Sequence, residues 1–254
     1  KVYIIMNDLK TKFSNKISSS QIIEDPFDHL YIRDFFEDDF YNEIQENIPD
    51  IKSFDKILNT GTVSKNYSPE RYIFSLQRDL DKIPKKQKDF WNQINNGFLS
   101  KEFWEATSSK FSETLKERFE NLTKAEKEIL GKTPKISCRT ALIKDFTKYQ
   151  LGAHTDSINK IFSFLFYLPS NNKIKDIGTS LYQPKEILDE KILTKHFTRE
   201  ETKELFQKVK TCEFNMNSVF VFARNNYSFH GVEEINIEQS ERNLFLVNFY
   251  GSKN

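Results

Sequence analysis

Cysteine is nearly absent: Cys138 and Cys212 are the only two in 254 residues. Two thiols make no disulfide framework, so the fold must rest on packing. Glycine and proline are scarce as well, with seven of each. That excludes collagen-like and low-complexity architectures and leaves no Gly/Ser/Pro linker between segments. No apolar run approaches the roughly 20 residues of a membrane-spanning helix. The longest, Ile161 to Leu168, is interrupted by Ser163. The N-terminal KVYIIMNDLK is too short in apolar residues for a secretory h-region, so cytoplasmic residence is the expectation. Charge of one sign is also missing. Lys and Arg number 38 against 37 Asp and Glu, a net of +1, which argues against nucleic acid as the main partner. A mean hydropathy of −0.64 points to a water-soluble chain with no membrane partner.

Phenylalanine is abundant, with 24 copies. Apolar residues reach only 37%, below the usual ~45–50%. Aromatic rings offset the deficit because each buries a large area. A chain of this length can bury a sizeable core.

Residues 1–25 read as a polar, loosely ordered lead-in, and DPFDHLYIRDFF follows as a short strand-like run. Phe36, Phe40, Ile44 and Ile48 then recur at helical spacing up to Pro49. Ser68-Pro69-Glu70 reads as a helix start, with Tyr72, Ile73, Leu76 and Leu80 on a helix ending near Pro84. Residues 87–120 are helical again, carrying Phe90, Trp91, Ile94, Phe98, Phe103, Trp104 and Phe111 on their apolar faces. Thr123-x-x-Glu126 is a capping box for a short helix that ends at Gly131.

The character changes at Pro134. Ile136, Cys138, Thr140 and Leu142 alternate with Ser137, Arg139 and Ala141, a period of two. Further strands are expected at 161–168, 179–182, 211–214, 218–223 and 243–250. One helix, capped by Thr198-x-x-Glu201, interrupts them. The expectation is a single α+β domain. Residues 1–135 would be mainly helical and 136–254 a β core, with a helical insert near 183–210.

Four histidines are present: His29, His154, His196 and His230. His154 and Asp156 stand at i and i+2, and on an extended segment such residues share a face. His230 follows a strand-like run, and twelve residues on, Arg242 opens the strong strand RNLFLVNFYG. Two His and one carboxylate with open positions is the facial triad of non-haem Fe(II) oxygenases. His-x-Asp alone is weak, since 4 His and 15 Asp give about 0.24 chance occurrences. The flanking strands, the distal His and the Arg supply the specificity. His29 and His196 lack neighbouring ligands and read as structural.

These residues resemble a known family. The phrases Tyr149-Gln-Leu-Gly-Ala-His154-Thr-Asp156, Leu165-Phe-Tyr-Leu-Pro169, Gly178-Thr-Ser-Leu-Tyr182 and Ser228-Phe-His230-Gly-Val are similar to 2-oxoglutarate/Fe(II)-dependent oxygenases of the prolyl-hydroxylase-like superfamily. The resemblance spans roughly 136–250, and the segment DPFDHLYIRDFFEDDFYNEIQENIP looks like the lead-in of an uncharacterised bacterial branch. It implies a double-stranded β-helix, or jelly roll. It implies His154, Asp156 and His230 as Fe(II) ligands and Arg242 in a bidentate ion pair with the distal carboxylate of 2-oxoglutarate. Tyr167 would touch that same carboxylate. The implied reaction consumes O2 and 2-oxoglutarate, releases succinate and CO2, and usually hydroxylates a C–H bond. The chain departs from the pattern at Gly178-Thr179, where many relatives have Gly-Gly. Asn243-Leu244 after Arg242 lacks the Arg-x-Ser of another branch. An intact Asp156 speaks against halogenation.

Arg139 and Lys160 are further candidates for meeting an anionic substrate group, though a solvated strand face explains them equally well, and Arg224, just before Ser228-Phe-His230, is a candidate for the pocket mouth. A small-molecule, sugar-like or peptide-like substrate is expected. The rivals are a peptidyl-prolyl hydroxylase, a non-catalytic metal- or carbohydrate-binding jelly roll, and a cupin-like barrel with a structural metal.

Overall fold

The computed structural model describes residues 6–64, 67–236 and 241–253. Eleven strands among them form two antiparallel sheets. The first three are β1 (His29–Ile32), β2 (Asp55–Lys56) and β3 (Arg71–Ser75). Then come β4 (Lys135–Asp145), β5 (Leu151–His154), β6 (Lys160–Tyr167), β7 (Thr179–Pro184), β8 (Phe206–Cys212), β9 (Ser218–Ala223), β10 (His230–Val232) and β11 (Arg242–Ser252). The large sheet runs β1-β9-β6-β11-β4-β3-β2 and the small one β5-β10-β7-β8. From β4 onward the chain crosses repeatedly between them: large, small, large, small, small, large, small, large. That winding makes a double-stranded β-helix, the fold that the family resemblance implied.

Period-two patterning sends alternate residues to opposite faces of the large sheet. On β6, Phe162, Phe164 and Phe166 face one core while Leu165 and Tyr167 face another. On β9, Val219, Val221 and Ala223 join the first core, and Phe220 and Phe222 join the second. The second core lies between the sheets. The first is closed by helices α1 (Met6–Ser19), α2 (Asp38–Glu46), α3 (Lys85–Phe98), α4 (Lys101–Lys110) and α5 (Ser112–Glu120). Aromatic edges and faces knit it together, as where Phe103 meets Phe164 at 5.1 Å. The capping boxes read from sequence are formed at Thr123 and Thr198, opening α6 (Lys124–Leu130) and α7 (Arg199–Leu205).

Two expectations are corrected. The lead-in 1–25 contains α1, whose Leu9, Phe13 and Ile17 recur every four residues and are buried. Phe13 stacks on Phe98 at 4.4 Å, and an added Cβ on Gly97 would stand 2.9 Å from the Phe13 ring. The helix expected after Ser68 is instead β3, paired with β4 from Arg71 opposite Asp145 to Ser75 opposite Ala141. Tyr72-Ile73-Phe74 is a β-branched and aromatic run, and strand pairing overrode the helical spacing. A turn then closes where Asp79 Oδ2 accepts from the Ser75 amide at 2.8 Å.

Candidate metal centre and cavity

His154 is the last residue of β5, and His230 is the first of β10. The two strands pair with these histidines directly opposite. His154 Nδ1 lies 3.0 Å from the Gly152 carbonyl, and His230 Nδ1 lies 2.9 Å from the Ser228 carbonyl. A carbonyl only accepts, so each Nδ1 carries the proton and each Nε2 keeps a free lone pair. The Nε2 atoms point at one carboxylate. His154 Nε2 is 3.8 Å from Asp156 Oδ1, and His230 Nε2 is 3.8 Å from Asp156 Oδ2. One ligand atom from each of the three residues lies within 4.8 Å of the others.

The sequence argument placed Asp156 on the strand face of His154. The structure brings them together differently. β5 stops at His154, and Asp156 sits in a turn at φ +67°. That left-handed backbone is uncommon outside glycine, and here it swings the carboxylate back toward both imidazoles. Lys160 donates to Asp156 Oδ1 at 3.0 Å and Ser163 to Oδ2 at 2.7 Å. Arg118 of α5 braces the same turn from behind, donating to the Ile158 and Lys160 carbonyls at 2.7 Å each.

Burial drives His154 well below the ordinary imidazole value, and the neighbouring His230 and His196 push it further the same way. Burial also lowers His230. Burial alone would raise Asp156, but the Lys160 ammonium, the two imidazoles and the Ser163 hydroxyl outweigh it and hold the carboxyl below its usual range. Two neutral imidazoles and a carboxylate are a donor set that suits a divalent first-row metal such as Fe(II).

Beside these three residues opens a cavity of about 1360 Å³. Arg242, fully buried, also lines it. Arg242 Nε donates to the Ile177 carbonyl at 2.6 Å, and Nη1 donates to Asp145 Oδ2 at 2.7 Å. Its Nη2 is buried without a partner. An unpartnered guanidinium nitrogen on a cavity-lining residue can accept a carboxylate or another anion as its partner. Because Nε and Nη1 are already engaged, the carboxylate would meet Nη2 rather than take both outer nitrogens from free solution geometry. Asp145 is held on its other side by Arg71, with contacts of 2.6 and 2.8 Å. Arg71, Asp145 and Arg242 are cross-strand neighbours on β3, β4 and β11.

The remaining sequence candidates fall in different places. Tyr167 is buried, and its hydroxyl donates to Thr179 Oγ1 at 2.7 Å. Thr179 lines the cavity, while Tyr167 stands behind it with its ring 5.8 Å from the Arg242 guanidinium. Lys160 lines the cavity. Arg139 is exposed, with its guanidinium 5.1 Å from the Tyr250 ring. Arg224 is fully buried outside the cavity wall, where it donates through Nη1 to Glu126 of α6 at 2.5 Å. It acts there as a buried ion-pair member and not at the cavity mouth.

Sequence reasoning passed over Arg71, Asp145 and His196. His196 stacks on His154 at 4.5 Å with planes 19° apart, and it lines the cavity. It reaches that position because the Phe197 amide donates to the Ala153 carbonyl of β5 at 3.0 Å. No local pattern announces that long-range contact. Arg71 was hidden by the misread helix. His29 is a core residue, with Nδ1 2.7 Å from the Phe27 carbonyl.

No family model matches the chain, and no curated relative does. Solved structures do resemble it. A 2OG-Fe(II) oxygenase family oxidoreductase from Burkholderia pseudomallei is 10% identical, with 98% of this chain and 91% of that one covered and a TM-score of 0.47. A prolyl-4-hydroxylase from Pseudomonas putida is 8% identical, with 96% and 100% covered and a TM-score of 0.48. HygX from Streptomyces hygroscopicus, solved with nickel, 2-oxoglutarate and hygromycin B, is 10% identical, with 87% and 82% covered and a TM-score of 0.46. At such identities the side chains of the site, and not the likeness, carry the chemistry.

Proposed function

We propose that this chain is an Fe(II)- and 2-oxoglutarate-dependent oxygenase that hydroxylates a small-molecule substrate. One observation carries the reading. His154, Asp156 and His230 line a single cavity together with Arg242, whose buried Nη2 has no partner. Iron and 2-oxoglutarate, when bound, supply the activation of O2, with the keto acid oxidised to succinate and CO2 and one oxygen atom delivered to a substrate C–H bond.

The chain's own residues hold, orient and shield. The Gly152 and Ser228 carbonyls fix both imidazoles with Nε2 inward. Ser163 and Lys160 orient the Asp156 carboxylate. Asp145 and the Ile177 carbonyl lock the Arg242 guanidinium in place, leaving Nη2 to grip the far carboxylate of the keto acid. Thr179, held by the Tyr167 hydroxyl, stands in the wall beside it. Small-molecule pockets usually measure roughly 300–1,000 Å³, so a cavity of about 1360 Å³ leaves room for a keto acid and a second molecule.

The test is an anaerobic titration of the Fe(II)-loaded protein with 2-oxoglutarate. Chelation by the keto acid gives a visible metal-to-ligand charge-transfer band. The band should saturate in the wild type, weaken in Arg242→Ala, and be lost with the iron in His154→Ala and Asp156→Ala. Bound iron with no band would instead favour a metal-binding jelly roll without this chemistry.

A further inference from the structure

The large sheet carries a row of polar side chains that the proposed chemistry does not use. Arg139 on β4 pairs with Asn248 on β11, and Asn248 pairs with Ser163 on β6. Tyr250, two residues on, pairs with Lys160. Neighbouring strands stand ~4.8 Å apart. The row therefore starts at the exposed Arg139 and ends, two strands away, at the Ser163 hydroxyl on Asp156. Tyr250 lies between the two cations, 5.1 Å from the Arg139 guanidinium and 5.9 Å from the Lys160 ammonium. Asn248, Tyr250, Ser163 and Lys160 all line the cavity.

Charge shows what this row lacks. Arg71 and Arg242 share Asp145, and Glu70, Glu200 and Glu234 face Lys148 and Arg199 around the rest of the lining. Lys160 is the cation next to the proposed metal ligands. Its carboxylate partner, Asp156, would be engaged by the metal. Among the described residues, Arg139 has no carboxylate partner at all. A half-buried ammonium and an exposed guanidinium on either side of one aromatic ring, with an amide beside them, form a receptor for an oxyanion.

We propose that Lys160, Tyr250, Asn248 and Arg139 form an anion subsite beside the metal centre, so that the primary substrate carries a carboxylate or phosphate group near its reacting carbon. This rests on the oxygenase reading. It adds the substrate's charge and the side from which the substrate enters: over β4 and β11, along the row that leads to Asp156.

The test uses the anaerobic protein saturated with Fe(II) and 2-oxoglutarate, its charge-transfer band recorded first. Benzoate, phenyl phosphate and benzyl alcohol are then titrated in by calorimetry. At least one anion should bind tenfold or more tighter than the neutral alcohol, and the preferred anion distinguishes carboxylate from phosphate. Arg139→Met and Lys160→Met should each weaken that anion about tenfold, and Lys160→Arg should restore it. Arg139 is exposed and contacts the Tyr250 ring and none of the three proposed iron ligands, so its variant keeps the band. The proposal is overturned if the alcohol binds as well as both anions, or if neither Met variant weakens the anion. Absence of the band in the wild type would instead sink the oxygenase reading, and the subsite as stated with it.

Discussion

His154 and His230 are direct cross-strand partners, each at the end of its strand, with ring centroids 4.2 Å apart. Strand register therefore sets the spacing of two of the three proposed ligands. A slip of one residue would turn either imidazole to the opposite face of the small sheet.

Burial keeps both imidazoles below their ordinary value. They are therefore neutral near pH 7 and have no proton to give up when a metal arrives. Two unperturbed histidines would release about one proton in total at pH 6.5. Calorimetry of Ni(II) or Fe(II) binding at pH 6.5, in buffers of different ionisation enthalpy, should detect almost none. Release near one proton would contradict the assigned state.

Gly152 supports that register from behind. A Cβ there would lie 2.0 Å from the Phe197 carbonyl and 2.9 Å from Thr202 Oγ1. Gly152→Ala must push the 196–202 segment off β5, at about 1–3 kcal/mol or more. The expected result is a lower melting temperature together with weaker metal binding. Metal affinity equal to wild type in a destabilised variant would show that the segment does not hold the site.

Asp145 is fully buried between Arg71 and Arg242. Asp145→Asn keeps the shape and removes the charge, leaving two guanidinium groups facing each other. Breaking a buried ion pair this way costs roughly 3–5 kcal/mol. Urea denaturation should show a loss of that order. A loss below about 1 kcal/mol would mean that water already reaches the cluster.

His29 is lowered to about 4, chiefly by burial. As pH falls from about 6.5 to 4, the unfolded chain takes up a proton that the folded chain refuses. Folding stability contributed by the neutral imidazole is thus lost across that window, on the order of 3 kcal/mol. His29→Leu should flatten the stability profile between these pH values by a comparable amount. An unchanged slope would show that His29 titrates freely in the folded protein.

Most of the β core was legible because β4 alternates and because β6 and β9 are short apolar runs rich in aromatic and β-branched residues, while the jelly-roll winding followed from the family resemblance. The capping boxes at Thr123 and Thr198 were equally plain, since a local side-chain–backbone exchange makes them. What escaped was non-local. Arg71 belongs to a strand only because β4 lies beside it, and His196 reaches the metal centre only through a backbone contact to Ala153. Asp156 was singled out by spacing, yet its position depends on one left-handed residue that spacing does not reveal.

The order of strands in the large sheet has a consequence for cutting the chain. β1 covers one flank, and β3 with β2 covers the other, and all three come from the first 75 residues. A fragment starting at Lys135 would keep every proposed iron ligand and Arg242. It would also bare the backbone amides and carbonyls of β9 and β4 along both rims, an open template for pairing with other copies. Such a fragment would lose Arg71 as well, leaving Asp145 to a single guanidinium. The helical half of the sequence thus contains the selvage of the sheet, and trimming it away would unravel the fabric at both sides.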